Sequence, residues 1–342
     1  MIISDSKINT IITHYVGNKL RDEQYSLSEA PSDISEESEE YYLKYFLGML
    51  KTDEKYKFCH PTDTNLNEVL HSTKRIFENA DEFLEASQDI AKLLYSHSVH
   101  PKINEGALNI VSFSDLVYSG MKCEAIGIFK SETNVPFLKI EQGSKNYTLS
   151  HELGFELNGL DKGALIVRVG DDEYEIIVFD KNGLRNDSKF WIDDFLQVEL
   201  ISNEYYQTTE LMKVTKEFIG SNLSEEFDIS KPDQIDLLNR SIDYLKNVDT
   251  YDQQEYLDKV IYDEDLKQSF KSFTGDHLSV MNVPDQFPIS TNAVKKMART
   301  FKSVLKLDKN FHVYIHGDRN KIEKGVDENG QKYYKIYFDK ED

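Results

Sequence analysis

The chain has 342 residues, and its 61 Asp and Glu against 40 Lys and Arg give a net charge of −21, while 39% of its residues are hydrophobic. This composition excludes a disordered or fibrous protein, and the charge excludes one that coats DNA, RNA or anionic lipid indiscriminately. Three classes stay open: an enzyme, a protein that contacts nucleic acid through one patch, and an acidic protein-binding module.

The predicted elements begin with an acidic segment. Residues 22–40 hold eight carboxylates and no Lys or Arg. Residues 22–38 are typical of a solvated loop before a helix at about 38–51, on which Tyr42, Phe46 and Met49 share a face. The segment is either a surface loop and nothing more, or a docking element for a basic partner.

A longer helical stretch at about 66–97 follows, and the pattern predicts that it breaks near Asn79. The spacing of the apolar residues then changes to that of strands. Gly170 to Asp172 predict a hairpin between the strands at 164–169 and 174–179. The predicted strands are residues 108–113, 123–129, 137–140, 164–169 and 174–179. The middle of the chain should therefore be a mostly antiparallel sheet.

Helical periods return after Phe190, where Trp191 is expected to be a buried anchor. Helices are predicted at 206–219, at 234–246 after the start signals Ser230 and Pro232, and at about 252–262, 264–273 and 291–307. A strand at 311–315 and a hairpin that turns at Asn329 and Gly330 before a strand at 333–338 end the chain. The order predicts an α+β fold. Its parts are an N-terminal α+β domain (1–187) with a mostly antiparallel central sheet and flanking helices, and a helical C-terminal domain (188–342) that ends in a basic helix and a β-hairpin.

The segment most informative about function is this last helix. At 100° per residue, four cations spaced 4, 3 and 4 residues apart form one row roughly 16 Å long, opposite an apolar face. From residue 291 onward there are 12 Lys and Arg against 8 Asp and Glu, a net charge of +4, which leaves −25 for the first 290 residues. The row is Lys295, Arg299, Lys302 and Lys306, and the candidate DNA-binding residues also include Lys296, Lys309, Arg319 and Lys321.

Two interpretations of these cations stay open. They either contact phosphates, with the steep salt dependence of counterion release, or only neutralise the acidic remainder of the chain. Nearby aromatic residues, Phe311, Tyr314, Tyr333 and Tyr334, could stack on unpaired bases, although strand alternation predicts that half of them belong to the core.

The search for an enzyme or a metal site is negative. No phosphate-binding loop, dinucleotide fingerprint, nucleophile elbow or HExxH motif is present, and no Cys or His spacing matches a zinc motif. His312 and His316 would share a face of a strand but lack a third ligand. Asp193–Asp194 and Asp171–Asp172–Glu173 are explained by helix capping and a turn. We expect no catalytic residues, no metal and no cofactor.

Extended blocks of the sequence resemble the bacterial nucleoid-associated protein family often called NdpA, in the form found in Bacteroides-like bacteria. The blocks are KFWIDDFLQV (189–198), YYQTTELMKVTKEFI (205–219), DQIDLLNRSIDYLK (233–246) and the run from FPIST to IEKG (287–325), with INTIITHYV and GIFKSE earlier in the chain. The resemblance covers nearly the whole chain. It implies a protein of the nucleoid that meets DNA directly or through DNA-bound proteins such as type II topoisomerases, and it supplies no catalytic residues.

These observations lead to one main hypothesis and one alternative. The first is a non-enzymatic, homodimeric, cytoplasmic nucleoid-associated protein whose C-terminal cations contact DNA phosphates without base-specific readout. The alternative is an acidic adaptor that binds a DNA-bound protein, such as a type II topoisomerase, through residues 22–40. No run of the sequence approaches the roughly 18 apolar residues of a membrane span, the first residues lack the features of a signal peptide, and two cysteines cannot build a disulfide framework.

Overall fold

The computed structural model describes residues 6–50, 53–181, 189–223, 227, 229–301, 304–307, 309–314 and 321–340, without the side chains of Glu36, Asn222 and Lys306. The chain divides into two compact units, Met1–Ile201 and Ser202–Asp342. The sequence placed the boundary at residue 187. The structure groups residues 190–200 with the first unit because Trp191, Phe195 and Val198 are buried in that unit's core.

The first unit is built on one antiparallel sheet of eight strands, in the order β10-β3-β9-β8-β5-β4-β1-β2. The strands are β1 (Lys7–Val16), β2 (Tyr25–Ser26), β3 (Tyr56–Phe58), β4 (Gly106–Tyr118), β5 (Met121–Ser131), β8 (Lys162–Gly170), β9 (Glu173–Asp180) and β10 (Val198–Leu200). Two further strands, β6 (Val135–Gln142) and β7 (Tyr147–Gly154), pair only with each other in a separate hairpin. The α+β class with a mostly antiparallel central sheet is confirmed.

The sheet is covered on both faces, and the residues of β4 show how. Leu108 and Ile110 lie in a core that also contains apolar residues of α2 (Glu68–Glu78) and α3 (Phe83–His97). Val111 and Phe113 lie in a second core with α1 (Glu39–Leu47). A strand buried on both faces reads as a continuous apolar run, which is why the sequence identified this strand clearly.

The break predicted in the first long helical stretch is confirmed at Asn79. Its backbone is extended, with φ −144° and ψ 108°, and its side-chain Oδ1 accepts a hydrogen bond from the N–H of Asp81 at 3.1 Å. Asn79 therefore ends α2 and starts the turn that leads into α3. The predicted turn at Gly170 to Asp172 is confirmed as well, since it joins β8 to β9 and Asp172 has a φ of +57°.

The second unit is mainly helical. Its helices are α4 (Glu204–Glu217), α5 (Lys231–Asn247), α6 (Gln253–Val260), α7 (Glu264–Val280) and α8 (Thr291–Ala298). Ser230 caps α5 and Pro232 lies in its first turn, as the sequence predicted. Three two-stranded sheets accompany them: β11 (Thr250–Asp252) with β12 (Gln286–Pro288), β13 (Val304–Leu307) with β14 (Phe311–Tyr314), and β15 (Ile322–Val326) with β16 (Lys332–Ile336). None of the helices in the described ranges is long and apolar enough to cross a membrane.

A buried histidine makes the first unit sensitive to acid. His14 in β1 is only 2% exposed, and its Nδ1 accepts the N–H of Ser28 at 3.1 Å. Its Nε2 therefore carries the proton and donates to Ser87 Oγ at 3.0 Å, while Ser87 donates to the carbonyl of Leu84 at 2.7 Å. A second proton would turn Nδ1 into a donor facing a donor. Burial lowers the pKa of His14 from 6.5 to about 4.

This pKa predicts a loss of stability as the pH falls from about 6.5 towards 4, since the unfolded chain takes up the proton first. The free energy of unfolding of the first unit should be about 2 kcal/mol lower at pH 5 than at pH 7 through this group. In His14→Asn, whose Oδ1 can accept from Ser28 and does not titrate, that difference should disappear. Urea unfolding followed by the fluorescence of Trp191, the one Trp of the chain, measures it. An equal pH dependence in both proteins would contradict the assignment.

Candidate nucleic-acid interface

Helix α8 is fixed to the second unit by its first turn and by one apolar face. The N–H of Ser290 donates to Thr208 Oγ1 of α4 at 3.0 Å, and Ser290 Oγ accepts from the N–H of Ala293 at 3.4 Å. Ala293 and Val294 are buried, and Val294 and Met297 pack into the unit's core. Lys295, Lys296 and Arg299 are then left on the exposed side.

The prediction of one helix over 291–307 is wrong beyond Ala298. Arg299 is the C-terminal cap, and the N–H groups of Thr300 and Phe301 donate to the carbonyls of Met297 and Ala298 at 2.8 and 3.2 Å. The chain then forms β13, which pairs with β14. Phe301 is 6% exposed and belongs to the core of the second unit.

The apolar residues after Ala298 fit both the helical period of 3.6 and the strand period of two, which explains why a helix was predicted there. Leu305 on β13 is buried with Ile235 of α5 and Ile322 of β15, and Val313 on β14 packs against this group. Leu305 and Val313 are direct partners across the two strands, so alternation at period two satisfies them as well as a helix would. The single helical row of four cations predicted from the sequence is therefore not formed.

The predicted cations are instead divided among three local structures. Lys295 and Arg299 lie one turn apart on the outer side of α8, and Lys309 is exposed in the turn between β13 and β14. Lys306 lies on β13 opposite His312, and Lys321 precedes β15 and forms an ion pair with Asp339. Lys302 and Arg319 lie outside the described residues. Among the residues that the structure describes, no carboxylate pairs with Lys295, Arg299 or Lys309.

Lys296 has a structural contact of its own. Its Nζ donates to the hydroxyl of Tyr205 on α4 at 3.0 Å and lies 5.6 Å from the centre of that ring. Lys296 therefore helps to hold α8 on α4, and Tyr205 is a residue near the candidate site that the sequence did not indicate.

The hairpin β15–β16 carries further Lys residues, which were counted in the net charge of the C-terminal segment but were not among the candidate DNA-binding residues. Lys324, Lys332 and Lys335 are exposed on β15 and β16. Lys335 lies 4.8 Å from the ring centre of Tyr337, and its hydrogen bond with that residue raises its pKa, so the ammonium stays charged at neutral pH. The turn of this hairpin is the predicted one at Asn329 and Gly330, where Gly330 has a φ of +80°.

Aromatic side chains on these hairpins are more exposed than alternation predicted. Phe311 and Tyr314 of β14 are 63% and 65% exposed, and Tyr333 of β16 is 47% exposed, while Tyr334 is half-buried against the small core around Leu305. Exposed rings beside cations are the components with which proteins stack on nucleic-acid bases. The described part of the C-terminal segment thus presents a mixed cationic and aromatic surface.

No metal-binding group of three or more His, Cys, Asp or Glu residues occurs among the described residues. His312 is exposed on β14, and His316 lies outside the described ranges. Asp193 and Asp194 lie in a π-helical turn, Phe190–Leu196, and Asp171 and Asp172 lie in the turn between β8 and β9.

Comparison with known proteins gives one finding. A family model described as nucleoid-associated protein YejK matches residues 12–336, nearly the whole chain. A search of curated proteins found no match.

The attachment of α8 predicts a measurable cost when its first hydrogen bond is removed. Thr208 is fully buried and Ser290 is 7% exposed, so Thr208→Val leaves the N–H of Ser290 without its acceptor. The free energy of unfolding of the second unit should fall by about 1–3 kcal/mol. Urea unfolding followed by circular dichroism measures it.

The matched control for this variant is Thr300→Val. Its hydroxyl donates to Met297 at the exposed end of the same helix. This change should alter the stability by less than about 0.5 kcal/mol. Equal stability of Thr208→Val and the wild type would show that α8 is held in another way.

Proposed function

Since the chain belongs to the nucleoid-associated protein family whose model matches residues 12–336, we propose that it contacts DNA phosphates directly, without base-specific readout, through its C-terminal cations. Membership of the family gives it a nucleoid-associated role. The direct contact, the residues that make it, a cytoplasmic location and a homodimeric state are the parts that we propose. No described residue group suggests catalysis, and the proposal includes none.

The observation that carries the proposal is the outer side of α8. Lys295 and Arg299 are exposed there, and no described carboxylate pairs with either of them. They belong to the segment from residue 291 onward, which has 12 Lys and Arg against 8 Asp and Glu, whereas the preceding residues carry −25. A polyanion that approaches the chain is therefore repelled by most of it and attracted at this end.

The remaining candidate residues extend this surface. Lys309 and the cations of β15 and β16 are exposed, and Lys306, Lys302 and Arg319 belong to the same stretch of sequence. Lys296 and Lys321 already have protein partners, Tyr205 and Asp339. We assign to these two a smaller share of the binding energy, because DNA must compete for them.

The arrangement favours phosphate contact over reading of bases. Sequence-specific readout requires side chains that enter a groove, most often from a helix of several turns. Helix α8 has 8 residues and one buried face, so few of its side chains could reach base edges. Exposed cations spread over a helix and two hairpins are suited to a backbone, which has the same charge for every sequence.

Reversal of the two cations on α8 tests this assignment. Lys295→Glu with Arg299→Glu should weaken binding to a random-sequence duplex by at least about tenfold, since two attractive contacts become repulsive. Fluorescence anisotropy at fixed, low salt measures the affinity. The matched control is Lys216→Glu with Lys271→Glu, which changes the net charge by the same amount at exposed positions of α4 and α7.

The control variant should change the affinity by less than about threefold, because neither of its residues belongs to the proposed contact and only the net charge changes. If both double variants lose the same affinity, the total charge of the protein governs binding and α8 is not the contact. If neither loses affinity, the protein does not use this surface for DNA.

The acidic segment supports the second candidate, an adaptor for a DNA-bound protein. The structure holds this segment along β1, since the N–H of Ser32 donates to the carbonyl of Ile11 at 2.8 Å and Ser28 contacts His14 and Thr13. Its exposed carboxylates are Asp22, Glu29, Asp33, Glu37 and Glu40. An ordered row of negative charge suits a basic protein surface.

The adaptor is tested by replacing Glu29, Asp33 and Glu37 with their amides. If the segment docks a partner, this variant should lose the binding of a purified type II topoisomerase while its DNA affinity stays unchanged, because the cations of α8 are intact. Pull-down in the presence of nuclease measures the first property and anisotropy the second. Retention of the topoisomerase by the variant would exclude the segment as its docking element.

A further inference from the structure

The hairpin β6–β7 lies outside the central sheet and has two different faces. Its register places Leu138 opposite His151 and Ile140 opposite Leu149, so these residues share one face. The residues between them lie on the other face, where Lys139 pairs with Glu141 at 2.9 Å and with Glu152 at 3.1 Å. The hairpin therefore has one largely apolar face and one mixed face, which carries these charges together with Phe137.

The apolar face is open in the structure. Its five large side chains have exposed fractions between 60% and 67%, more than almost any other apolar residue of the first unit. They form one continuous patch, because they alternate along two paired strands. We call this surface the hairpin face: Leu138, Ile140, Tyr147, Leu149 and Leu153.

The base of the hairpin is firmly held. The carboxylate of Asp161, just before β8, accepts the N–H groups of Glu132 and Thr133 at 2.6 and 2.9 Å and the hydroxyl of Thr133 at 2.9 Å. Lys130, which is fully buried, donates to the carbonyl of Asn104 at 2.6 Å and pairs with Glu132 at 3.0 Å. The entry to the hairpin thus leaves the sheet from a buried, hydrogen-bonded base, whereas residues 155–158, which follow β7, are exposed.

An apolar face that is exposed to this extent is a candidate contact surface. A two-stranded hairpin is marginally stable in water by itself, and a contiguous exposed apolar patch marks an interaction surface. We propose that the hairpin face binds the same face of a second copy of this chain. This inference rests on the self-association included in the proposed function and names the surface responsible for it.

The area available is sufficient for a specific dimer. With exposed fractions of 60–67%, the five residues offer on the order of 600 Å² on each copy, so a symmetric contact that covers the whole face would bury at most about 1,200 Å² in total, the size at which specific interfaces begin. The face is also self-complementary. The Leu138–His151 and Ile140–Leu149 rows lie at its centre, with Tyr147 towards one end and Leu153 towards the other. A two-fold axis between the two central rows places Tyr147 of one copy against Leu153 of the other.

The local charge favours a second copy over a basic partner. Residues 1–201 hold 20 Lys and Arg against 35 Asp and Glu, a net charge of −15, yet residues 135–154 hold two of each and are neutral. A basic protein attracted to the acidic unit would gain nothing at this hairpin. Two identical acidic chains repel each other elsewhere, and at the hairpin they meet a neutral, apolar surface.

Sedimentation velocity of the full chain over a concentration series tests the proposal. The wild type should approach twice the mass of the 39.7 kDa chain as its concentration rises. Leu138→Gln with Leu149→Gln should raise the dissociation constant at least about 100-fold, since each change removes apolar burial twice in a symmetric contact. The matched control is Thr148→Gln with Ser150→Gln, on the polar face of the same hairpin, which should shift it by less than about threefold.

A second measurement covers the case in which the double variant unfolds the hairpin. In the wild type, amide hydrogen exchange of residues 135–154 should slow as the protein concentration rises. At concentrations where all three proteins are monomeric, unfolding followed by Trp191 fluorescence should show the same stability of the first unit.

Three results would overturn the proposal: a wild type that stays monomeric at every concentration, a double variant that dimerises as the wild type does, or hairpin exchange that does not depend on concentration. The second would mean that another surface of the chain forms the dimer. Failure of the proposed DNA contact can be distinguished from failure of the proposed dimer. The variant at Lys295 and Arg299 should alter DNA affinity and leave the sedimentation of the free protein unchanged.

Discussion

Coulomb repulsion between an acidic chain and a polyanion is the constraint on which the functional account depends. With a net charge of −21, the protein can meet DNA only where cations are concentrated and carboxylates are absent. The outer side of α8 satisfies this condition, because its apolar side is buried and Ser290 and Lys296 attach it to α4. The local contact that we propose is compatible with a chain that would otherwise avoid DNA.

The sequence predicted those parts of the fold in which one period dominates. The helical stretch with its break at Asn79, the strands buried on both faces and the cap at Ser230 all have local causes, and all are confirmed. Strand β1 was missed because its polar and apolar residues alternate irregularly and only its pairing with β4 makes it a strand. Of the hairpin β6–β7, the sequence predicted only a strand at 137–140, within β6. No local feature of the sequence indicates that the hairpin lies outside the central sheet.

The candidate site was predicted in composition but not in shape. The excess of Lys and Arg after residue 290 is a property of the sequence, whereas their arrangement depends on tertiary contacts. Leu305 and Val313 pack equally well from a helix or a strand, and their pairing in β13 and β14 decided the outcome. The exposure of Phe311 and Tyr314 could not be predicted either. The prediction that alternate residues of a strand are buried holds only when one face of the sheet is covered by a core.

The salt dependence of DNA affinity in the wild-type protein tests the central claim most directly. If Lys295, Arg299, Lys309 and their neighbours each neutralise a phosphate, the logarithm of the association constant should fall linearly with the logarithm of salt concentration, with a slope of about −3 to −6. The slope and the affinity should be the same for unrelated duplex sequences. Affinity that does not depend on salt, or no binding even at low salt, would contradict direct phosphate contact.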